Sequence, residues 1–393
     1  MPGPLASLKV LDFTALLPGP FATMALADMG AAVVRVESPT RPDMVRFLPP
    51  YDGDTSAWHG VLNRNKRSLA LDLKQPGAAD AIRRLVSGGY DILIEQFRPG
   101  VMDRLGIGYD SLRAANPALI YCALTGYGQT GPWRDRAGHD NNYLALSGAL
   151  SYSGRHETGP PPLGVQVADI GGGALGALVG LLAAVVRRAA TGEGQYVDVS
   201  MFDMMLAWQA HLISHYLVAG ETPAPEGMAL NGGRVYDLYE TADSRWLSVG
   251  SLEPKFWEGF CAAIGRPDLI APGLSLDEAS QARVKVEIRA AVAARPLAEW
   301  IEVFAPLDVC VEPVLTVPEA LAQPHVAARG LIVDVPKPDG GAQRQIASPW
   351  RFSGGAANDS REVYRHVGAP IGAHTAEILR EAGFSESEIE AFL

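Results

Sequence analysis

"LKVLDFTALLPGPFATMALADMGAAVVRVES", residues 8–38, decides the architecture. Its two ends are short apolar runs, and its middle, "PFATMALADMG", carries helix formers and stops at a glycine. Two strands joined through one helix make a crossover unit, which places the strands parallel. The alternation continues. "SLALDLK", "DILIEQF" and "ALIYCALTGYG" read as further strands, with helical "PGAADAIRRLVSGG" and "YDSLRAANP" between them. The pattern predicts an α/β fold: a doubly wound, mostly parallel, Rossmann-like sheet whose ligands sit at the carboxyl ends of the strands.

Beyond residue 190 the pattern changes. "TGEGQYVDVSMFDMMLAWQAHLISHYLVAG" reads as a strand and a long helix leading away, and "ETPAPEG" as a linker. "YDLYETADSRWLSVGS" reads as a hairpin, followed by helical segments to about residue 305. The expected organisation is a large α/β domain over residues 1–190 and a linker helix region over 191–224. A small α+β domain over 225–328 follows, then a C-terminal segment, 329–393, ending in the acidic helix "SESEIEAFL".

Composition narrows the function. The chain has 393 residues, 48% of them hydrophobic, and a net charge of −11, which leaves no basic footprint for nucleic acid. Three dispersed cysteines without a CxxC pair fit a reducing compartment and exclude a cysteine-based zinc site. "MPGPLASLKV" lacks the features of a signal peptide, so a cytoplasmic protein is expected. The run Ile170–Val186 falls just short of a membrane span and is expected to be a buried helix, not an inserted one.

The turn after the first strand has no GxGxxG and the chain no Walker A sequence, which leaves nicotinamide and ATP chemistry unsupported. Basic residues nevertheless stand at strand ends: Arg35, then Arg64, Lys66 and Arg67 in "NRNKRS", then Arg98 in "EQFRPG". Such groups clamp phosphates or form solvated surface.

Proton-transfer candidates are three. His139, beside Asp140 in "GHDNNYLALSG", follows a loop leaving a strand. Asp169 opens the glycine-rich apolar run, and Glu253 precedes a proline in "GSLEPKFW". Each also has a structural reading: a hydrogen-bonded loop spacer for His139, helix caps for Asp169 and Glu253. His211 and His215 share a helix face, but "HLISH" lacks the glutamate of HExxH and reads as helix packing.

Several stretches, in order, resemble the family III CoA transferases, the CaiB/BaiF family. They are "LDFTALLPGPFATMALADMGAAVVRVE", "NRNKRSLALDLK", "EQFRPGVMDRLGIGYDSL", "YCALTGYGQTGP", "TGEGQYVDVSMFD", "DVCVEPVLTVPEAL" and "GAHTAEILREAGFSESEI". "AGHDNNYLALSG" and "GSLEPKFW" are similar to the α-methylacyl-CoA racemase branch. The resemblance implies that His139 and Asp169 are the catalytic pair, with Glu253 supporting the histidine. CoA-transferase members use the Asp169 position as an acyl-anhydride nucleophile, typically lack the "GHD" histidine and carry a glycine-rich loop where this chain has "GSLEP". Cys310 in "DVCVEP" matches the racemase pattern but receives no chemical role.

The resemblance further implies an interlocked homodimer, with the C-terminal segment returned to the large domain and each site shared between subunits. Coenzyme A is expected as part of the substrate, held by Arg35, Lys66 and Arg98 and more weakly by Arg64; no separate cofactor or metal is required. Asp140 is expected to anchor its loop through coenzyme A or neighbouring backbone, and Tyr143 to line the wall. The implied reaction interconverts 2-methylacyl-CoA epimers. It requires a base on each face of an enolate whose oxygen backbone N–H groups at Asp169 and the next glycines would stabilise. The alternatives are CoA transfer through an aspartyl anhydride, or acyl-CoA binding without turnover.

Overall fold

The first two strands, β1 (Lys9–Phe13) and β2 (Ala32–Glu37), lie side by side and parallel, joined by helix α1 (Pro18–Asp28). The computed structural model describes residues 3–353 and 363–393. Four more strands complete the sheet: β3 (Arg67–Ala70), β4 (Ile92–Glu95), β5 (Ile120–Thr125) and β6 (Tyr196–Ser200). The order is β3-β2-β1-β4-β5-β6 and every pairing is parallel, the doubly wound arrangement that alternation predicts. The order reverses between β1 and β4, and ligands in such sheets bind outside the carboxyl ends there.

Helix α1 is buried nearly all round. A helix without a polar face belongs in a core, and this one packs on β1 and β2 and against the helix that carries Asp169. That second helix, Ala168–Thr191, opens with a π-helical stretch over Ala168–Leu175. Its glycines are there for packing. A Cβ on Gly173 would come within 2.9 Å of Pro18 and 3.1 Å of Met201, and one on Gly172 within 3.0 Å of Met205. Close backbone approach therefore sets the Asp169 turn against the carboxyl ends of the strands.

By length and composition the Ala168–Thr191 helix could cross a membrane, and 44% of its most apolar window is buried. Leu178, Leu181 and Ala184 face the core, while Leu175, Val179 and Val186 are exposed. The expected buried helix is thus buried along one face.

Two compact units emerge. The first comprises residues 1–146, 163–207 and 325–393, and the second residues 147–162 and 208–324. The large unit therefore takes strand β6, which the sequence reading had set in a linker. The small unit takes 147–162 for a physical reason: Arg155 pairs with Asp237 and Glu226, and Asn231 donates to the Tyr152 carbonyl at 2.9 Å. In the small unit β7 (Asp237–Glu240) and β8 (Trp246–Val249) form the expected antiparallel hairpin, and β9 (Val311–Pro313) flanks β8. Its core gathers Trp257, Phe260, Trp300 and Phe304, and each indole N–H finds a backbone carbonyl.

Residues 325–393 lie in the unit of the sheet, although 354–362 are outside the described residues. Ile378, Leu379 and Ile389 join the core of Leu11 and Leu85, and Arg67 pairs with Glu377 and Glu381. The final helix, Glu386–Glu390, is capped reciprocally by Ser385 and Glu388.

Candidate active site

A cavity of about 480 Å³ opens at the carboxyl ends of β4 and β5, and both His139 and Asp169 line it. His139 ends the loop that leaves β5. Gly138, just before it, is packed against two rings: a Cβ there would lie 2.7 Å from Tyr143 and 2.9 Å from the Tyr127 hydroxyl. The backbone N–H of His139 donates to Asn142 Oδ1 (2.9 Å), and its carbonyl accepts from Asn142 and Tyr143 as the helix Asp140–Leu146 begins. Backbone contacts fix the residue while the imidazole faces the cavity, exposed.

Asp140 is buried and acts on the other wall. Its Oδ1 accepts the backbone N–H groups of Ala168 (2.6 Å) and Asp169 (3.0 Å), satisfying free donors at that helix start. This corrects two expectations. Asp169 lies inside its helix and is not the cap, and its N–H is already given to Asp140, which removes it from the expected oxyanion donors. For Asp140 the partner is neighbouring backbone, within the protein itself. The His139–Asp140 pair is therefore divided in purpose: one side chain faces the cavity and the next ties down the opposite wall.

Partial burial pushes the Asp169 carboxyl up to about 6, with the Asp140 charge adding to the rise and His139 opposing it. That moves it toward the range in which imidazoles in general titrate. Tyr143 lines the wall and donates to the Gly138 carbonyl at 2.6 Å. Burial, with Asp169 and Tyr127 nearby, raises its hydroxyl above the ordinary phenol range.

Arg98 reaches the same cavity from the end of β4, held by a 2.9 Å bond to the Asp135 carbonyl. Arg134 and Arg136 line it too, and sequence reasoning passed over both; the signal was "RDR" immediately before "AGHD". Thr125 and Tyr127 were also missed. Both residues line this wall, and their buried hydroxyls have no hydrogen-bond partner among the described residues.

A second cavity, about 550 Å³, lies along the ends of β1, β2 and β3 and shares Phe97 with the first. Arg35 lines it. Its Nη2 engages Asp43 and its Nε stands 3.5 Å from Glu37, while the buried Nε and Nη1 have no hydrogen-bond partner among the described residues.

Arg64 and Lys66 are placed differently. Lys66, 1% exposed, donates to Asp12 (3.1 Å), the Pro20 carbonyl (3.0 Å) and Asn63 (3.0 Å), which uses all three of its protons. Burial brings its ammonium down to about 8 against the pull of Asp12. Burial also opposes the charge on Asp12, but Lys66, Arg35 and the Thr14 and Thr23 hydroxyls outweigh it and hold that carboxyl below its usual range. Arg64 is equally enclosed, forked onto Asp28 and bonded to Gln345 and the Ile346 carbonyl. The expectation that these two hold a ligand is corrected: their donors are engaged inside the fold.

Glu253, in the small unit, sits at the N-cap of the helix Pro254–Ala263 with no side-chain capping bond and is exposed. His215 pairs weakly with Glu221 on an exposed helix. Cys310 is exposed with φ of 53°, and its carbonyl accepts from Gly250.

Residues 5–374 match the family described as CoA-transferase family III. The human "Alpha-methylacyl-CoA racemase" is 37% identical over 98% of this chain and 95% of its own. "Acetyl-CoA:oxalate CoA-transferase" of Acetobacter aceti is 34% identical over 84% of this chain and 86% of its own. A crystal structure of a CAIB/BAIF family protein from Brucella suis superposes with a TM-score of 0.82 at 28% identity. That superposition covers 97% of this chain and 100% of the other. With a doubly wound sheet, a cavity at its switch point and a family match over nearly its whole length, the chain belongs to CoA-transferase family III.

Proposed function

We propose that the protein is a 2-methylacyl-CoA racemase, moving the C2 proton from one face of a thioester enolate to the other without a resident cofactor or metal. The supporting observation is the single cavity lined by both His139 and Asp169, with the carboxyl held at about 6. A carboxylate near that value is ionised in most molecules at neutral pH, yet readily takes up a proton. In one direction it removes the proton while the imidazole delivers one; in the other the roles exchange.

Arg98 then meets the phosphates of coenzyme A, and Arg35, buried and paired with Asp43, lends its charge to the wall of the neighbouring cavity, where the nucleotide end lies. The Asp169 N–H is engaged by Asp140, so the enolate oxygen must draw its donors from elsewhere on the cavity wall. Asp140 holds the Asp169 turn and Tyr143 the His139 loop. In this reading two copies interlock in the cytoplasm, and Glu253 of the partner subunit orients the imidazole. The human racemase relative supports it; the Acetobacter aceti transferase relative, of similar identity, supports the second reading, in which Asp169 attacks the thioester and forms an anhydride.

One experiment separates the two. A single 2-methylacyl-CoA epimer is incubated with the protein in heavy water, without and then with acetate, succinate or oxalate as acceptor. Deuterium entering C2 with loss of optical purity and no acceptor is the expected result. Strict dependence on the acid, with C2 untouched, establishes transfer instead. No change in either arm leaves only binding.

A further inference from the structure

A third cavity in the large unit, about 390 Å³, shares no residue with the two assigned above. Three carboxyl groups line it: Glu95 at the end of β4, and Asp103 and Asp110 on the segments that follow. No arginine, lysine or histidine lines it, and none of the three is in an ion pair among the described residues. Of the three only Glu95 is buried, and a buried carboxyl is normally paired.

A second, independent observation lies at its floor. Tyr121, 2% exposed, lines this cavity, and its hydroxyl makes no hydrogen bond among the described residues. Glu95, 4% exposed, uses one oxygen to accept the Phe97 N–H at 2.7 Å and has no other hydrogen bond among the described residues. Burial, opposed by that bond and reinforced by Asp103 and Asp198, pushes its carboxyl up to about 8. Buried groups capable of hydrogen bonding are normally satisfied. The second Glu95 oxygen has no partner among the described residues, beside a Gln129 amide whose Nε2 also lacks one. A carboxyl held at about 8 keeps its proton in most molecules at neutral pH, and a bound cation favours its ionised form.

The spacing selects the ligand class. Among the described residues no three carboxyl, imidazole or thiol groups converge tightly enough to hold a metal ion. Asp103 and Asp110 are exposed, which puts them at the mouth, while Glu95 and Tyr121 are deep. Dispersed acceptors suit an extended cation with several N–H donors. Half-buried Tyr109 and Tyr196 also line the cavity, offering aromatic surface to a flat cation. We propose that this cavity binds a small organic cation of the alkylguanidinium class, its N–H groups donating to the Glu95 carboxyl and the Tyr121 hydroxyl, with Asp103 and Asp110 drawing it in.

The test is calorimetric titration of the full chain with methylguanidinium and, separately, with methylurea, a neutral probe of nearly the same shape, at constant ionic strength. Saturable binding of methylguanidinium alone is expected. Titrated at about pH 9, where Glu95 is ionised, Glu95→Gln keeps an oxygen for the Phe97 N–H and should weaken binding about tenfold, the loss of one charge-assisted hydrogen bond. Because a buried variant can fail to fold, Asp103→Asn with Asp110→Asn is the companion; it changes only exposed carboxyls and should weaken binding several-fold with an unaltered unfolding midpoint. Equal binding of the two probes, or no heat from methylguanidinium at millimolar concentration, overturns the proposal. So does affinity unmoved in both variants.

Discussion

Residues 63–67 and the loop 133–139 both bring basic side chains to the ends of strands, yet the fold puts them to opposite uses. In the first segment Arg64 and Lys66 are enclosed and bonded to Asp28, Gln345, Asp12, Asn63 and backbone carbonyls. In the second, Arg134 and Arg136 are exposed and line the cavity beside His139, with a 3.5 Å approach of Arg134 to the adjacent, exposed Asp135. A cation serves a ligand only where the fold has not already paired it, and pairing is set by residues distant in sequence: Asp12 is 54 positions from Lys66. The two segments therefore predict different failures on mutation, one of chemistry and binding, one of stability.

The largest effect belongs to the cavity. His139→Ala should reduce C2 deuterium exchange about 10²–10⁴-fold, the usual reach of a general acid–base group, with the unfolding midpoint unchanged. Exchange at the wild-type rate would remove the imidazole from the reaction. In the enclosed segment, Lys66→Met should destabilise by about 3–5 kcal/mol, because Asp12 is left charged and buried. Chemical denaturation measures this; an unchanged midpoint together with weakened CoA binding would return Lys66 to the ligand and erase the contrast.

Arg98→Ala occupies the middle of the scale. Its guanidinium is exposed and lines the cavity, so KM for acyl-CoA should rise about tenfold with kcat little changed. A fall in kcat at constant KM would place Arg98 at the reacting carbon instead. The smallest effect is a gain. The Asp169 carboxyl is raised in the folded state, so at neutral pH its charge opposes folding, and that penalty vanishes below about pH 4, where the unfolded chain also holds the proton. Asp169→Asn should therefore stabilise by about 1 kcal/mol at pH 7, a value reduced for partial exposure, while exchange is lost. The gain should shrink as pH falls from 6 to 4, and a gain that is constant across that range would contradict the assignment of its cause.

Alternation of apolar strands and helices carries the sheet into the sequence, because each strand's pattern is local. All six strands fall on segments read as strands, and strand β6 was recognised although its membership of the sheet was not. That membership depends on pairing with β5, including Thr125 with Ser200, a contact across 75 positions. The segment 147–162 was likewise given to the wrong unit, since the ion pairs of Arg155 with Glu226 and Asp237 have no local signature.

The candidate site divides the same way. His139 and Asp169 stand in recognisable motifs, and the cavity they both line is at the strand ends where the alternation pointed. That Asp140 caps the Asp169 helix, thereby taking a donor from the enolate, depends on two buried hydrogen bonds that no motif encodes. Thr125 and Tyr127 carry no chemical signal in "ALTGYGQ"; only a shared wall with His139, and buried hydroxyls without partners among the described residues, mark them.

By itself, then, the order of residues determined the parallel α/β scaffold and the types of side chain available for proton transfer, because hydrophobic periodicity and residue chemistry are properties of short segments. Only the tertiary structure decided which charges are open to a ligand. Desolvation and pairing are set by groups brought together from distant parts of the chain. That is how Lys66, Arg64 and Asp140 came to hold the protein together while His139, Asp169 and Arg98 remained facing the cavity.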